Sequence, residues 1–178
     1  LALLGIAPDI FMQLFFPLVV REYAKKRIRV IRELSKQISK WVYLLNIPLL
    51  CAMFFYPGVI INILFGSQYL EAENALRILA FAGFTSSVFI ALNSNLLSMK
   101  GKSKLILINL VFTSILNLIL NVLWIPKYGI DGAAYATLAS TLVLNGILFF
   151  QVWKNVSIIP VRRKMLNITI SAGLAIGI

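Results

Sequence analysis

The sequence contains no histidine, a single cysteine and only six acidic residues among 178. The first two scarcities remove whole classes of chemistry. Without His there is no Ser-His-Asp triad and no His-based metal site, and with Cys51 alone there is neither a disulfide framework nor a Cys/His cluster. No metal, cofactor or catalytic residue is expected, and the chain reads as a non-enzyme. Charge is scarce as well: 13% of residues are charged and 60% hydrophobic, with a mean hydropathy of +0.91, where soluble proteins carry about a quarter charged. The class expected is an integral membrane protein.

What charge there is has one sign. Seventeen Lys and Arg against six Asp and Glu give +11, a balance that in a soluble domain would suggest nucleic acid. Here the cations fall in short loops between uncharged runs, so the expected partner is anionic membrane lipid and not nucleic acid. Eight of them lie in 21–40, REYAKKRIRVIRELSKQISK. Within it Ala24, Ile28, Ile31, Leu34 or Ser35, Ile38 and Trp41 recur at helical spacing. The expectation is a basic amphipathic helix along the cytoplasmic headgroups, with Lys25, Lys26, Arg29, Arg32 and Lys36 facing anionic groups. A solvated helix that only enforces topology remains the alternative.

Apolar runs on either side predict about six spans, near 1–20, 41–64, 75–99, 105–125, 132–153 and a cut-short 165–178. The fold class expected is all-α, a polytopic transmembrane helix bundle. Leu1 is not an initiator Met and both ends run into apolar sequence, so the chain reads as an excerpt of a longer one. Basic residues number 8 in 21–40, none in 65–74, 3 in 100–104, 1 at Lys127 and 4 in 154–164. High and low alternate, which assigns the first, third and fifth loops to the cytoplasm. The sequons at Asn155 and Asn167 then fall inside and within a span.

Polar residues inside predicted spans are functional candidates because lipid penalises them. Asp9, between Pro8 and Ile10, would serve a cation or proton, or pair with a basic residue elsewhere. Arg77 lies four residues after Glu73, an i,i+4 pair at a helix start, and a Glu71-x-Glu73 metal site has no further ligands. Asn93 sits in the polar run of 78–99. Asn109, Thr113, Asn117 and Asn121 follow at intervals of four, a stripe suited either to interhelical hydrogen bonds or to lining a polar substrate's path. Gly132, Ala136 and Ser140 form a small-residue ridge for close packing.

Short loops leave no aqueous catalytic domain, and polar groups inside helices are a transporter's distribution. Phe65-Gly66-Ser67-Gln68-Tyr69, the Gly101-Lys102 turn, Asn117-Leu118-Ile119-Leu120-Asn121 and the run Ile125 to Ala134 with Ala136-Thr137 together resemble the C-terminal half of polysaccharide-export flippases. These are the Wzx-type transporters of the multidrug/oligosaccharidyl-lipid/polysaccharide superfamily. The resemblance implies about 12–14 helices in two lobes, of which this chain matches roughly the eighth to thirteenth. It also implies alternating access and a polyprenyl-diphosphate-linked oligosaccharide as cargo, in the cell membrane. A coupling ion, sodium or proton, would be an expectation attached to Asp9. Two rivals stay open: a cation-coupled drug exporter of the same superfamily, and a non-transporting scaffold of a glycan assembly machine.

Overall fold

The computed structural model describes residues 17–156 together with Gln13. Asp9, most of the expected span 1–20, the basic residues 162–164, Asn167 and the expected span 165–178 lie outside the described residues. Within them all regular structure is helical.

Helix α1 (17–24) ends in a turn at Lys25–Arg27, where Lys26 takes a left-handed φ of 57°. Helix α2 (Ile28–Phe55) then runs for 28 residues, about 42 Å at 1.5 Å per residue. It stops at Tyr56 because Pro57 has no N–H to donate and disfavours helical backbone in the residue before it. Pro57 is instead the first residue of α3 (Pro57–Leu64), where a missing N–H costs nothing. A 3-10 turn (Ser67–Ala72) leads to α4 (Glu73–Thr85), which continues through a π turn (Ser86–Ile90) into α5 (Ala91–Met99). The α4–α5 rod ends in a Schellman motif: Lys102 N–H donates to the Leu97 carbonyl and Gly101 N–H to that of Ser98, with Gly101 at φ 71°.

The long helical segment Ser103–Val156 is two helices joined at Gly129, whose φ of 56° and ψ of −130° only glycine adopts readily. They are labelled α6 (103–128) and α7 (130–156). Side-chain bonds join Asn109 to Gln151 and Asn117 to Ser140, so the two are antiparallel. At the tip a Cβ on Gly132 would collide with the carbonyl of Trp124, which is how closely the helices approach.

Alternate elements run in opposite directions. Near the start of α2, Ile31 packs in one core with Val19, Leu92, Leu96, Leu97, Leu144, Leu148 and Val152. At mid-height Ile38, Val42 and Tyr43 meet Phe84, and at the far end Met53 meets Ala80. The α4–α5 rod is thus antiparallel to α2 and parallel to α7.

The helices depart from the sequence reading at three points. No helix boundary falls at 40/41: nothing between Ile28 and Ile47 breaks a helix, so the basic segment and the apolar run form one rod. Its stripe also turns inward, since Ile31, Ser35, Ile38, Ser39 and Val42 are buried against protein instead of lying along headgroups, while Ile28 and Trp41 are exposed. Likewise the helix passes Pro126 and turns only at Gly129.

Against six expected spans, two helical segments among the described residues are long and apolar enough to cross a membrane, Ile28–Phe55 and Ser103–Asn155. Only 11% of the most apolar stretch of the second is buried. Val111, Phe112, Ile115, Leu118, Ile119 and Val122 all point outward. An apolar surface of this extent is foreign to soluble monomers, so these are not core helices of a water-soluble protein.

Candidate functional site

The α6–α7 hairpin carries the polar stripe. Asn109 and Gln151 exchange two amide hydrogen bonds, Asn109 Nδ2 donating to Gln151 Oε1 at 2.8 Å and Gln151 Nε2 to Asn109 Oδ1 at 3.1 Å. Asn117 Nδ2 donates to Ser140 Oγ at 3.0 Å, and Asn121 Nδ2 to Asn117 Oδ1 at 2.9 Å. Buried Thr113 bonds back to the Asn109 carbonyl at 2.8 Å. The stripe therefore faces α7 and ties the two helices together.

One flank of this seam is open. Thr113, Ser114, Asn117, Thr137, Ser140 and Thr141 line a groove of about 330 Å³ between Leu110 and Leu144. On the opposite face of α7, Tyr135, Leu138, Ala139 and Leu142 form with Trp124 and Tyr128 an apolar groove of about 510 Å³. The hairpin thus has a hydroxyl- and amide-bearing side and an oily side. Its polar groups are neutral donors and acceptors, fit to replace water around a polar solute but not to activate a nucleophile.

The remaining candidates are dispersed. Asn93 is fully buried, and neither its amide nitrogen nor its oxygen has a hydrogen-bond partner. A second polar contact crosses the core at the π turn, where Asn46 Nδ2 donates to Ser87 Oγ at 2.8 Å. Arg77 stands at the far end: its Nε donates to the Phe54 carbonyl at 3.1 Å, and its Nη2 is 3.7 Å from Glu73 Oε2. It caps the C-terminus of α2, where a cation complements the helix dipole.

Basic side chains are sorted by end. Lys25 and Arg27 each lie 3.6 Å from Glu22, and Lys36 is 3.2 Å from Glu33; Lys26, Arg29 and Arg32 are exposed. The turn at Gly101 meets the end of α7, where Lys100 donates to the Asn155 carbonyl and Lys102 to its side-chain oxygen. Arg21 to Lys40, Lys100, Lys102, Lys104 and Lys154 therefore belong to one end of the bundle or the half of α2 rising from it, with Glu22 and Glu33 as acids. The other end holds Arg77 and Lys127 against Glu71, Glu73 and Asp131, and there Asn74 Nδ2 donates to Asp131 Oδ2 at 2.7 Å.

Of the partners of the stripe, Gln151 escapes the sequence reading and Ser140 enters it only as part of the small-residue ridge. A signal existed: Asn109 and Gln151, like Asn117 and Ser140, stand almost symmetrically about Gly129.

Comparison with known proteins gives two curated relatives. Over 109 residues, 60% of this chain, it is 38% identical to an uncharacterized membrane protein, MJ1068, of Methanocaldococcus jannaschii. Over 133 residues, 75% of this chain, it is 32% identical to a protein of Haloferax volcanii named "Probable low-salt glycan biosynthesis flippase Agl15". The matches span only 20% and 28% of those proteins. No family model and no solved structure matches the chain. Membrane relatives and outward-facing apolar helices together support a membrane location.

Proposed function

We propose that this chain is a multi-pass part of a flippase that carries polyprenyl-diphosphate-linked oligosaccharide across the cell membrane by alternating access. The observation that carries the reading is the two-faced hairpin: a groove of hydroxyls and amides on helices whose other side is suited only to lipid. A polar groove facing hydrocarbon would be penalised, so it faces other helices or a water-filled path. The relative named as a glycan biosynthesis flippase supports the same role. On this reading the chain is a transporter and not an enzyme.

On this reading four elements among the described residues cross the bilayer: α2, α6 and α7, which make up the two segments long and apolar enough to do so, and the α4–α5 rod packed against them. With the basic end at the cytoplasm, the charge asymmetry obeys the rule that Lys and Arg near a span resist translocation. The exposed Lys25, Lys26, Arg29 and Arg32 then sit where acidic lipid headgroups and the cargo's diphosphate first meet the protein. Asn109 and Asn117 hold the hairpin together, Asn121 supports Asn117 from the same helix, and Thr113 and Asn117 also open onto the path. Asp9, outside the described residues, is the group assigned to a coupling cation or proton.

Deleting the gene in its host tests the role. A flippase predicts loss of surface glycan together with accumulation of the lipid-linked intermediate on the cytoplasmic face. Neither change would mark a drug exporter, and reduced synthesis without accumulation would mark a scaffold.

A further inference from the structure

The end away from the basic loops carries a cavity of about 410 Å³, lined among others by Phe55, Tyr56, Asn62, Leu70, Glu73 and Arg77. This lies within the roughly 300–1,000 Å³ typical of small-ligand sites. The helix break at Tyr56–Pro57 lies in its lining, which the end of α2, α3 and α4 share. Gly58 leaves room for the carboxylate of Glu73, which a Cβ there would strike.

We propose that this cavity binds a neutral, hydroxyl-rich sugar unit, an inference that rests on the lipid-linked-glycan reading and assigns the glycan a place in it. The chemistry of the walls argues for that class. Glu73 supplies acceptors; Arg77, with its Nε committed to Phe54, still has its terminal nitrogens to donate; and Asn62 offers both. A sugar hydroxyl donates and accepts at once, so it can bridge such a set. Tyr56 and Phe55 give aromatic faces to the C–H side of a sugar ring, and Tyr56 is 65% exposed.

An anion fits less well. Glu73 and Arg77 pair at 3.7 Å and cancel, and Glu71 and Asp131 stand at the same end. Among the described residues this end sets Arg77 and Lys127 against Glu71, Glu73 and Asp131, so it offers an anion no excess of positive charge.

The test uses the intact protein in nanodiscs of zwitterionic lipid and saturation-transfer NMR. Its probes are methyl hexosides and N-acetylhexosamine, with inorganic pyrophosphate, which carries no C–H protons, as a charged competitor read through the sugar signal it displaces. Val59→Trp fills the cavity from an exposed position, and Asn62→Leu removes one amide without touching the Glu73–Arg77 pair. Expected are a sugar signal in the parent protein and a loss of about tenfold in Val59→Trp, with a smaller loss in Asn62→Leu. Absence of sugar signal, equal signal in Val59→Trp, or preference for pyrophosphate each overturns the inference. Translocation of lipid-linked oligosaccharide is measured with the same proteins reconstituted into sealed vesicles of that lipid. A parent that translocates, with Val59→Trp indistinguishable from it in both assays, removes the sugar site and leaves the flippase standing. A parent that fails to translocate but binds sugar in a Val59-dependent manner removes the flippase instead.

Discussion

Replacing Asn109 by Leu removes two hydrogen bonds and leaves the half-buried Gln151 amide without its partner. Interhelical hydrogen bonds in membranes are worth about 0.6 kcal/mol each on average, so the pair contributes roughly 1 kcal/mol. The stranded Gln151 adds to this, because an unsatisfied amide costs about 1–3 kcal/mol when dry. Asn109→Leu is expected to lose about 1–3 kcal/mol, and Gln151→Leu a similar amount for the mirror-image reason. The double variant should recover to within about 0.5 kcal/mol of the parent, since two leucines of similar bulk leave no orphan. The cycle thus predicts a coupling of about 1.5–6 kcal/mol in magnitude, the sum of the two single losses less the small residual of the double, well above what independent sites show. Reversible unfolding of the intact protein in bicelles, followed by steric trapping, supplies the four numbers. Single variants that are neutral, or losses that simply add in the double, would refute the argument that this amide pair joins α6 to α7.

Gly129→Ala forces a side chain into φ 56°, ψ −130° and should cost about 1–3 kcal/mol in the same unfolding assay; a neutral result would mean the turn lies elsewhere. Gly132→Ala drives a Cβ into the Trp124 carbonyl, with an expected loss of about 1–3 kcal/mol, whereas Gly146→Ala, which meets nothing within 4 Å, should be silent. Arg77→Leu should lower thermal stability by about 1 kcal/mol through loss of the cation at the end of α2, and Arg77→Lys by less. Equal losses in both Arg77 variants would mean that the Phe54 hydrogen bond, and not the charge, carries the effect.

Much of the local punctuation could be read from residues. Gly101 after a polar-to-basic transition marks a helix end, and the structure closes it with two reverse hydrogen bonds. The four-residue interval of Asn109 to Asn121 defines one helix face, and that face meets α7. What covers a face is not written in its periodicity, however. Ile31 and Ile38 have the same spacing whether they rest on lipid headgroups or, as here, on Leu96, Leu148 and Phe84. Glu73 and Arg77 looked complete as an i,i+4 pair, yet the Phe54 carbonyl that Arg77 caps lies 23 residues away in sequence. Only folding brings the two together.

In the proposed topology the basic turn at 100–104 and the hairpin tip at 127–131 lie on opposite sides of a bilayer. In a cysteine-free background, with Cys51 replaced by Ala, Lys102→Cys and Lys127→Cys are probed in intact cells with a membrane-impermeant maleimide. Position 127 is expected to be labelled at once and position 102 only after the cells are permeabilised. Equal labelling of both from outside would contradict it.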